Sequence, residues 1–260
     1  MRSILVYADR SPAMPARLET ALALARASKG HISLLVDTPI GRYISMDPMG
    51  GSYVASDAMR QALADDDGQA ARLRARLLEE GLPYDVIRSE DEPAEALAVA
   101  SRLADVVIVS RASAMAGEIA LASRTPVLVL SNDKPLSVPV AKACVAWDGG
   151  NEAALALRGA IPLMAHCASI DVLTVREKPG GFPAADAVRY LTRHGIHATP
   201  HELTRKGSTE ETLAAAVMRL GGELLIMGAY GRSRMREFLF GGVTRYFLED
   251  CPRPALLMAH

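Results

Sequence analysis

Short apolar runs alternate with alanine- and leucine-rich stretches of helical periodicity along the whole chain. The first run ends at Asp9 and the second ends 27 residues later at Val36. A second pair of runs, ending at Asp148 and Val175, repeats the spacing of 27 residues. Apolar runs separated by helical segments are typical of strands buried in a parallel sheet. The sequence therefore predicts a tandem duplication in which each half begins strand, helix, strand.

Both halves are predicted to contain the same elements in the same order. The first half has predicted strands at 4–9, 32–36, 84–88, 105–109 and 126–130, and predicted helices at 17–28, 69–80 and 93–103. The second half has predicted strands at 144–148, 170–175, 198–203, 223–227 and 254–258, and predicted helices at 152–166, 184–194 and 209–220. Strands that alternate with helices in this way build parallel sheets through right-handed crossovers.

The domain boundaries follow from this repeat. Residues 133–142 contain two prolines and are predicted to be a linker between a domain at 1–132 and a domain at 143–260. Within the first domain, residues 37–67 form an insertion with prolines and glycines, followed by a short helical pattern and an acidic run at its end. We expect this insertion to be a solvated surface loop, with a lid over a site as the alternative.

Composition narrows the class of protein. The 260 residues are 50% hydrophobic and 23% charged, with a formal net charge of −1, so a sizeable core is expected and a nucleic-acid partner is not. No apolar run approaches the roughly 20 residues that span a bilayer, and the first residues do not resemble a secretory signal. The three cysteines are too widely spaced for a disulfide framework. We therefore expect a cytoplasmic protein without a membrane partner.

The most informative segment is a glycine-rich stretch that follows a predicted strand. Its glycines have the spacing G-x2-G-x9-G, and arginines between them make the segment basic. Glycines let a backbone approach an anion and take positive φ, while N–H groups at a helix N-terminus point at negative charge. The segment is therefore predicted to bind phosphate. Its candidate residues are Met227, Gly228, Gly231, Arg232, Gly241, Gly242, Val243 and Thr244.

This spacing, entered from a buried strand and followed by Val-Thr and a helix, resembles the ATP-binding signature of the universal stress protein family. The resemblance implies an α/β fold of two tandem doubly wound domains, each an open, mostly parallel five-stranded sheet with helices on both faces. It implies ATP, with or without Mg²⁺, across the carboxyl ends of the strands, which is where open sheets bind ligands. By position, Asp148 is similar to the family's adenine-side acidic residue and Val175 to the apolar wall of its adenine pocket.

The first half departs from the signature. Only 16 residues separate its last two strands, against 26 in the second half, and the missing residues include the glycine loop. We therefore expect a single nucleotide, bound in the second half, and a turn or helix-capping role for Asp9. Gly242 stands where members of the family usually have Ser or Thr, which removes one hydroxyl donor to phosphate.

The resemblance also implies an assembly. Members of the family dimerise through their last strands, and each half of this chain ends in an apolar strand of the kind that pairs at a sheet edge. The expected partners are an adenine nucleotide and either a second copy, giving a homodimer, or the other half of the same chain, giving an intramolecular pseudo-dimer.

The expected function is that of a regulatory, stress-response nucleotide-binding protein without fast turnover, rather than an enzyme. The first alternative is an adenine-nucleotide α-hydrolase-like enzyme, either a slow ATPase or an adenylating enzyme. Such enzymes carry motifs that the loops ADRSPAMP and DGGNEAAL lack, and the acidic residue nearest the glycine loop in sequence is Glu237. A scaffold that has lost nucleotide binding is the second alternative, favoured by Gly242.

Two remaining features point to structural roles. Three histidines near residue 200 are interrupted by Gly195 and Pro200, so they are not expected to share one helical face or to bind a metal. Trp147, the single tryptophan, directly precedes Asp148 and is expected to lie in the core.

Overall fold

A computed structural model of the chain describes residues 1–46, 52–111, 115–131, 134–175, 182–231, 242–251 and 253–260. The first half contains β1 (Ser3–Tyr7), α1 (Met14–Ser28), β2 (His31–Asp37), a 3₁₀ turn (Ile40–Tyr43), β3 (Ile44–Met46), β4 (Ser52–Val54), α2 (Ser56–Glu80), β5 (Tyr84–Ser89), α3 (Pro93–Ala100), a second 3₁₀ turn (Ser101–Leu103), β6 (Val106–Ser110), α4 (Ala116–Ala122) and β7 (Val127–Leu130). The second half contains β8 (Val140–Ala146), α5 (Asn151–Met164), β9 (Cys167–Val175), α6 (Ala184–Arg193), β10 (Thr199–Leu203), α7 (Thr209–Leu220), β11 (Leu224–Gly228), α8 (Gly242–Glu249) and β12 (Ala255–Ala259).

One sheet of ten strands runs through both halves, in the order β10-β9-β8-β11-β12-β7-β6-β1-β2-β5. The five strands of each half are parallel to one another. The halves meet where β12 pairs antiparallel with β7, with Leu257 opposite Leu128. The predicted α/β class, with an open and mostly parallel sheet, is confirmed, and the last strands pair within one chain.

Helices cover both faces of the sheet, and each face has its own apolar core. Helices α1, α2, α5 and α6 pack on one face, where Leu22 and Leu157 are fully buried. Helices α3, α4, α7 and α8 pack on the other face, where Ile119 and Phe247 are fully buried. Because both faces are covered, central strands such as β6 are buried at every position, which explains their uninterrupted apolar sequences.

The insertion at 37–67 is more ordered than expected. β3 and β4 form a two-stranded antiparallel sheet, and α2 begins at Ser56, so the short helical pattern of the insertion and the predicted helix at 69–80 form one continuous helix. The buried hydroxyl of Thr38 donates to Asp66 at 2.7 Å, which fixes the helix against the end of β2. The acidic run and Gly68 have low intrinsic helix propensity, but tertiary contacts of this kind override it.

The boundary between the halves differs slightly from the sequence pattern. β8 begins at Val140, inside the residues predicted to be a linker, because the backbone N–H of Val140 donates to the carbonyl of His166 at 3.0 Å. The division into domains at 1–132 and 143–260 stays a prediction. Among the described residues, no helix has both the length and the apolar character that crossing a membrane requires.

Candidate functional site

The strand order of the second half reverses at β8. The chain continues from β8 to β9 on one side and later places β11 on the other side. At such a reversal, the loops at the carboxyl ends of the two strands separate and leave a crevice, and open α/β sheets bind their ligands there. In this protein the crevice lies between the loop after β8, residues 147–150, and the loop that begins after β11 at residue 229.

Asp148 lies in a tight turn between β8 and α5. Its carboxylate accepts a hydrogen bond from the backbone N–H of Gly150 at 2.8 Å, and Gly149 has the φ of 74° that such a turn requires of a glycine. Trp147 is buried, as predicted, and its indole N–H donates to the carbonyl of Phe182 at 2.8 Å. Asp148 itself is exposed, so the turn presents a carboxylate at the carboxyl edge of the sheet.

Gly228 brings the end of β11 against the first turn of α5. A Cβ atom on Gly228 would lie 2.5 Å from the backbone nitrogen of Ala153 and 2.6 Å from the carbonyl carbon of Glu152, so no larger residue fits without moving the helix. A Cβ atom on Gly231 would lie 2.7 Å from a carboxylate oxygen of Glu152. The loop after β11 and the amino end of α5 are therefore in direct contact.

This contact corrects one expectation about the glycines. Positive φ is expected at the glycine loop, yet Gly228 and Gly231 do not have it, and Gly241 lies outside the described residues. At Gly228 the missing side chain is required by the approach of α5 rather than by backbone conformation. The left-handed residue in this loop is instead Tyr230, with a φ of 61°, a conformation that is uncommon for a bulky side chain.

Tyr230 connects the loop to α8. Its backbone N–H donates to the hydroxyl of Thr244 at 3.3 Å, and Thr244 is buried. Burial, with smaller contributions from the Glu249 and Glu118 carboxylates, raises the pKa of the Tyr230 phenol to about 12. The neighbouring Ala229 donates its N–H to the carbonyl of Ala259 at 2.9 Å, so β12 also holds the start of the loop. None of these roles was predicted for Tyr230, because the glycine pattern draws attention away from the residues between the glycines.

The remaining candidate residues lie at several depths. Met227 is buried in the core with Phe247, whereas Val175 is half-buried at the end of β9. Gly242 is exposed and Val243 is half-buried at the amino end of α8. Arg232 and Gly241 lie outside the described residues, as does Glu237.

The equivalent crevice of the first half is filled by an arginine. There the strand order reverses at β1, and Asp9 follows β1 as Asp148 follows β8. The Arg17 side chain is fully buried and forms an ion pair with Asp9, while its guanidinium also donates to the hydroxyl of Ser110 at 3.2 Å. Asp9 accepts hydrogen bonds from the N–H and hydroxyl of Ser11, which is the turn role expected for it. Thus a side chain of the first half occupies the place between its two loops.

The second half has no counterpart of this arginine. Arg17 follows Asp9 by eight residues, and Ala156, a buried alanine, follows Asp148 by the same eight. Ser110 ends β6, whereas Gly228 ends β11. The position of Arg17 and the position of its acceptor Ser110 therefore carry only a methyl group and a hydrogen atom in the second half.

A comparison with models of protein families finds a match in the second half of the chain. Residues 140–258 match the model of the Universal stress protein family. The match covers both loops of the crevice and all the candidate residues of the second half. The same comparison does not extend to the first half, whose crevice is filled by Arg17.

Solved structures of other proteins resemble the whole chain in fold. A universal stress protein from Archaeoglobus fulgidus DSM 4304 has a TM-score of 0.69 and 17% identity, and the alignment covers 99% of this chain and 96% of that one. A functionally unknown protein from Pseudomonas aeruginosa PAO1 has a TM-score of 0.63 and 16% identity, with coverage of 100% and 92%. At these identities the likeness establishes the fold. Among the curated proteins, none matches this sequence.

The titratable side chains outside the crevice include a buried cluster with a structural role. In the part of the chain that the structure describes, no group of three or more His, Cys, Asp or Glu side chains is arranged to hold a metal ion. His201 lies on β10 and contacts the buried Asp171 carboxylate through Nε2 at 2.7 Å, and Lys142 contacts the other oxygen of that carboxylate at 3.1 Å. This cluster joins three neighbouring strands and stabilises that edge of the sheet.

Proposed function

We propose that residues 140–258 bind one adenine nucleotide, ATP, and that the protein acts as a nucleotide-binding regulator of the stress response. The adenine end would lie near Asp148 and Val175, and the phosphates would lie along the glycine loop toward the amino end of α8. ATP binding changes the loops of the crevice and thereby the contacts that the protein makes with its partners. Turnover of ATP is absent or slow.

The observation that carries this proposal is the difference between the two crevices. The buried guanidinium of Arg17 occupies the first crevice. In the second half, Ala156 stands at the position of Arg17 and Gly228 at the position of Ser110. The same half holds the glycine spacing and matches the family model over residues 140–258. Of the two repeated crevices, the first is therefore filled by its own side chain, and the second has small residues at the matching positions.

The residues of the second crevice fit a nucleotide chemically. The amino ends of α5 and α8 carry partial positive charge and N–H groups that have no partner within the helix, and both features favour phosphate. Gly228 and Gly231 place backbone rather than side chain beside the first turn of α5. Asp148 supplies a carboxylate that can accept hydrogen bonds from an adenine amino group or a ribose hydroxyl.

An enzymatic alternative rests on one carboxylate that sequence analysis did not place at the site. Glu152 is half-buried and lies beside Gly231, so it is close enough to the loop to be considered as a base for water. We propose that it positions the loop and does not accelerate hydrolysis. Single-turnover cleavage of ATP by the parent and by Glu152→Gln distinguishes the two. A rate of about 1 per second or more, lost in the variant, would establish the enzyme.

The proposal itself is tested by releasing whatever the protein carries. Protein purified without added nucleotide is denatured, and mass spectrometry identifies the small molecules released. ATP is expected. Titration of the nucleotide-free protein with ATP should also change the fluorescence emission of Trp147. Its indole N–H donates to the carbonyl of Phe182, and the residue directly precedes Asp148. Absence of nucleotide in the first experiment together with no emission change in the second would favour the scaffold alternative.

A further inference from the structure

A cleft of about 750 Å³ lies between the two halves, at the amino ends of β6 and β7. This volume is within the range of roughly 300–1,000 Å³ that is typical of small-molecule sites. Three arginines line it, one from each of three segments: Arg102, Arg124 and Arg158. The first two belong to the first half, and Arg158 belongs to α5 of the second half. The cleft is thus separate from the crevice at the ends of β8 and β11.

Buried hydroxyl groups fix the backbone next to two of these arginines. Ser101 precedes Arg102, Ser123 precedes Arg124, and the hydroxyls of the two serines are hydrogen-bonded at 2.9 Å. Thr125, which follows Arg124, donates its hydroxyl to the carbonyl of Ser101 at 2.7 Å and its N–H to the hydroxyl of Ser123 at 3.0 Å. All three hydroxyl residues are buried. The network therefore holds the backbone of Arg102 and Arg124 side by side.

Close packing across the seam brings the third arginine to the same place. Gly159 lies against Pro126, so closely that a Cβ atom on the glycine would be 2.5 Å from the proline Cγ. Arg158 is the neighbour of Gly159 on α5, and Pro126 follows the fixed segment that carries Arg124. The cleft is therefore assembled from both halves of the chain, on rigid elements rather than on mobile loops.

The charges in the cleft are not balanced by pairing. Among the described residues, none of the three arginines forms an ion pair with a carboxylate, although most other arginines of the first half do. Two carboxylates also line the cleft. Asp105 accepts hydrogen bonds from the backbone N–H groups of Arg2 and Ser3, at 2.5 and 3.1 Å. Glu95 lies in the first turn of α3, where its negative charge interacts favourably with the helix dipole.

We propose that this cleft binds a compact anion that carries two or more phosphate groups. Guanidinium groups bind phosphate through paired N–H donors in a fixed fork, and gathering three of them costs repulsion that an anionic ligand offsets. An anion bound here contacts both halves at once, through Arg158 on one side and Arg102 and Arg124 on the other. Its occupancy would therefore strengthen the junction between the halves.

Inorganic pyrophosphate is the probe for this site. Calorimetric titration at low ionic strength is expected to show one saturable site, weaker for orthophosphate. Arg124→Gln and Arg158→Gln should each weaken pyrophosphate binding by about 10-fold, the effect of losing one charge-assisted contact. Arg74→Gln is the matched control, because Arg74 is an exposed arginine of α2 that does not line the cleft. Each of these three arginines is exposed, and thermal unfolding of each variant checks that it still folds.

The nucleotide crevice must be separated from the cleft in this experiment. Arg124 and Arg158 lie outside the crevice, so their variants should weaken pyrophosphate binding and leave ATP binding in the crevice unchanged, and the cleft and the proposed nucleotide site then succeed or fail independently. The proposal is overturned if pyrophosphate does not bind saturably. It is also overturned if binding survives both arginine variants, or if an excess of a non-hydrolysable ATP analogue displaces pyrophosphate in the parent but not in Asp148→Ala.

Discussion

Arg17 and Asp9 form an ion pair at the end of β1, and the Arg17 side chain has 0% exposure while that of Asp9 has 25%. The pair stands where the second half has Ala156 and Asp148. It follows that the two crevices of one duplicated fold are chemically different: one is closed by its own cation, and the other presents its carboxylate beside small residues. The single nucleotide expected per chain depends on this difference.

Removing the arginine should destabilise the protein. Arg17→Met keeps most of the side-chain volume but leaves Asp9 without its cation and Ser110 without its donor. We expect the free energy of unfolding to fall by about 2 to 4 kcal/mol, less than for a fully buried pair because Asp9 is partly exposed. Urea unfolding followed by circular dichroism measures this change.

The control for that measurement is Arg74→Met, an exposed arginine on α2. It should change the free energy of unfolding by no more than about 0.5 kcal/mol, as surface substitutions usually do. An Arg17→Met variant as stable as this control would show that the buried pair contributes nothing to the first half.

Two neighbouring glycines should respond differently to the same substitution. A Cβ atom at Gly228 meets backbone atoms of α5, which cannot move alone, whereas at Gly231 it meets the end of the Glu152 side chain, which can rotate away. Gly228→Ala should therefore cost about 1 to 3 kcal/mol of stability and Gly231→Ala much less. Chemical unfolding of the two variants measures the difference. Equal costs would mean that the contact with α5 is not as tight as described.

The buried thiol of Cys144 should make the protein less stable at alkaline pH. Burial, assisted by the Asp171 carboxylate, raises the pKa of Cys144 from 9.0 to about 12. Between these values the unfolded chain has lost the proton and the folded chain retains it, so stability decreases as pH rises. From about pH 8 to about pH 10 this thiol should remove about 1.4 kcal/mol from the free energy of unfolding.

That alkaline loss is measured with urea at the two pH values. Cys144→Ala should show a shallower decrease than the parent, whereas Val145→Ala, a packing change on the same strand without a thiol, should keep the parent's decrease. If Cys144→Ala and the parent lose the same stability between the two pH values, the thiol does not retain its proton in the folded protein.

The sequence pattern predicted the fold well because both halves obey the same local rules. Every strand of the ten-stranded sheet was expected within a few residues, since buried parallel strands have uninterrupted apolar sequences. The continuity of α2 through the acidic run was not predicted, because the aspartates and Gly68 have low helix propensity and are stabilised by contacts such as Thr38 with Asp66. Hydrophobic periodicity carries no information about such long-range hydrogen bonds.

The site was only partly predictable for a related reason. The glycine spacing and the repeat placed Gly228 and Asp148 correctly at the carboxyl ends of β11 and β8. Arg17 could not be identified as buried, because arginine on a helix is ordinarily exposed and its partners Asp9 and Ser110 are distant or unremarkable in sequence. Aligning the two halves on their aspartates, and asking which residue differs eight positions later, would have found it.

The pairing of β7 with β12 bears on assembly. Both strands are central in the sheet and are used within one chain, so the dimer contact that the resemblance implied through last strands is already made internally. We predict a monomer of 27.7 kDa in light scattering at micromolar concentration. A stable dimer would contradict this and would require a different surface, such as an edge of the ten-stranded sheet.

The most direct test of the account is calorimetric titration of the nucleotide-free protein with ATP. One site per chain is predicted, and Asp148→Ala should weaken binding by about 1 to 3 kcal/mol, the cost of leaving polar partners unsatisfied. Asp85→Ala, which removes an exposed carboxylate from the edge strand of the first half, should bind as the parent does. Two equivalent sites per chain, or an Asp148→Ala variant that binds ATP as tightly as the parent, would contradict the assignment of the second crevice as the nucleotide site.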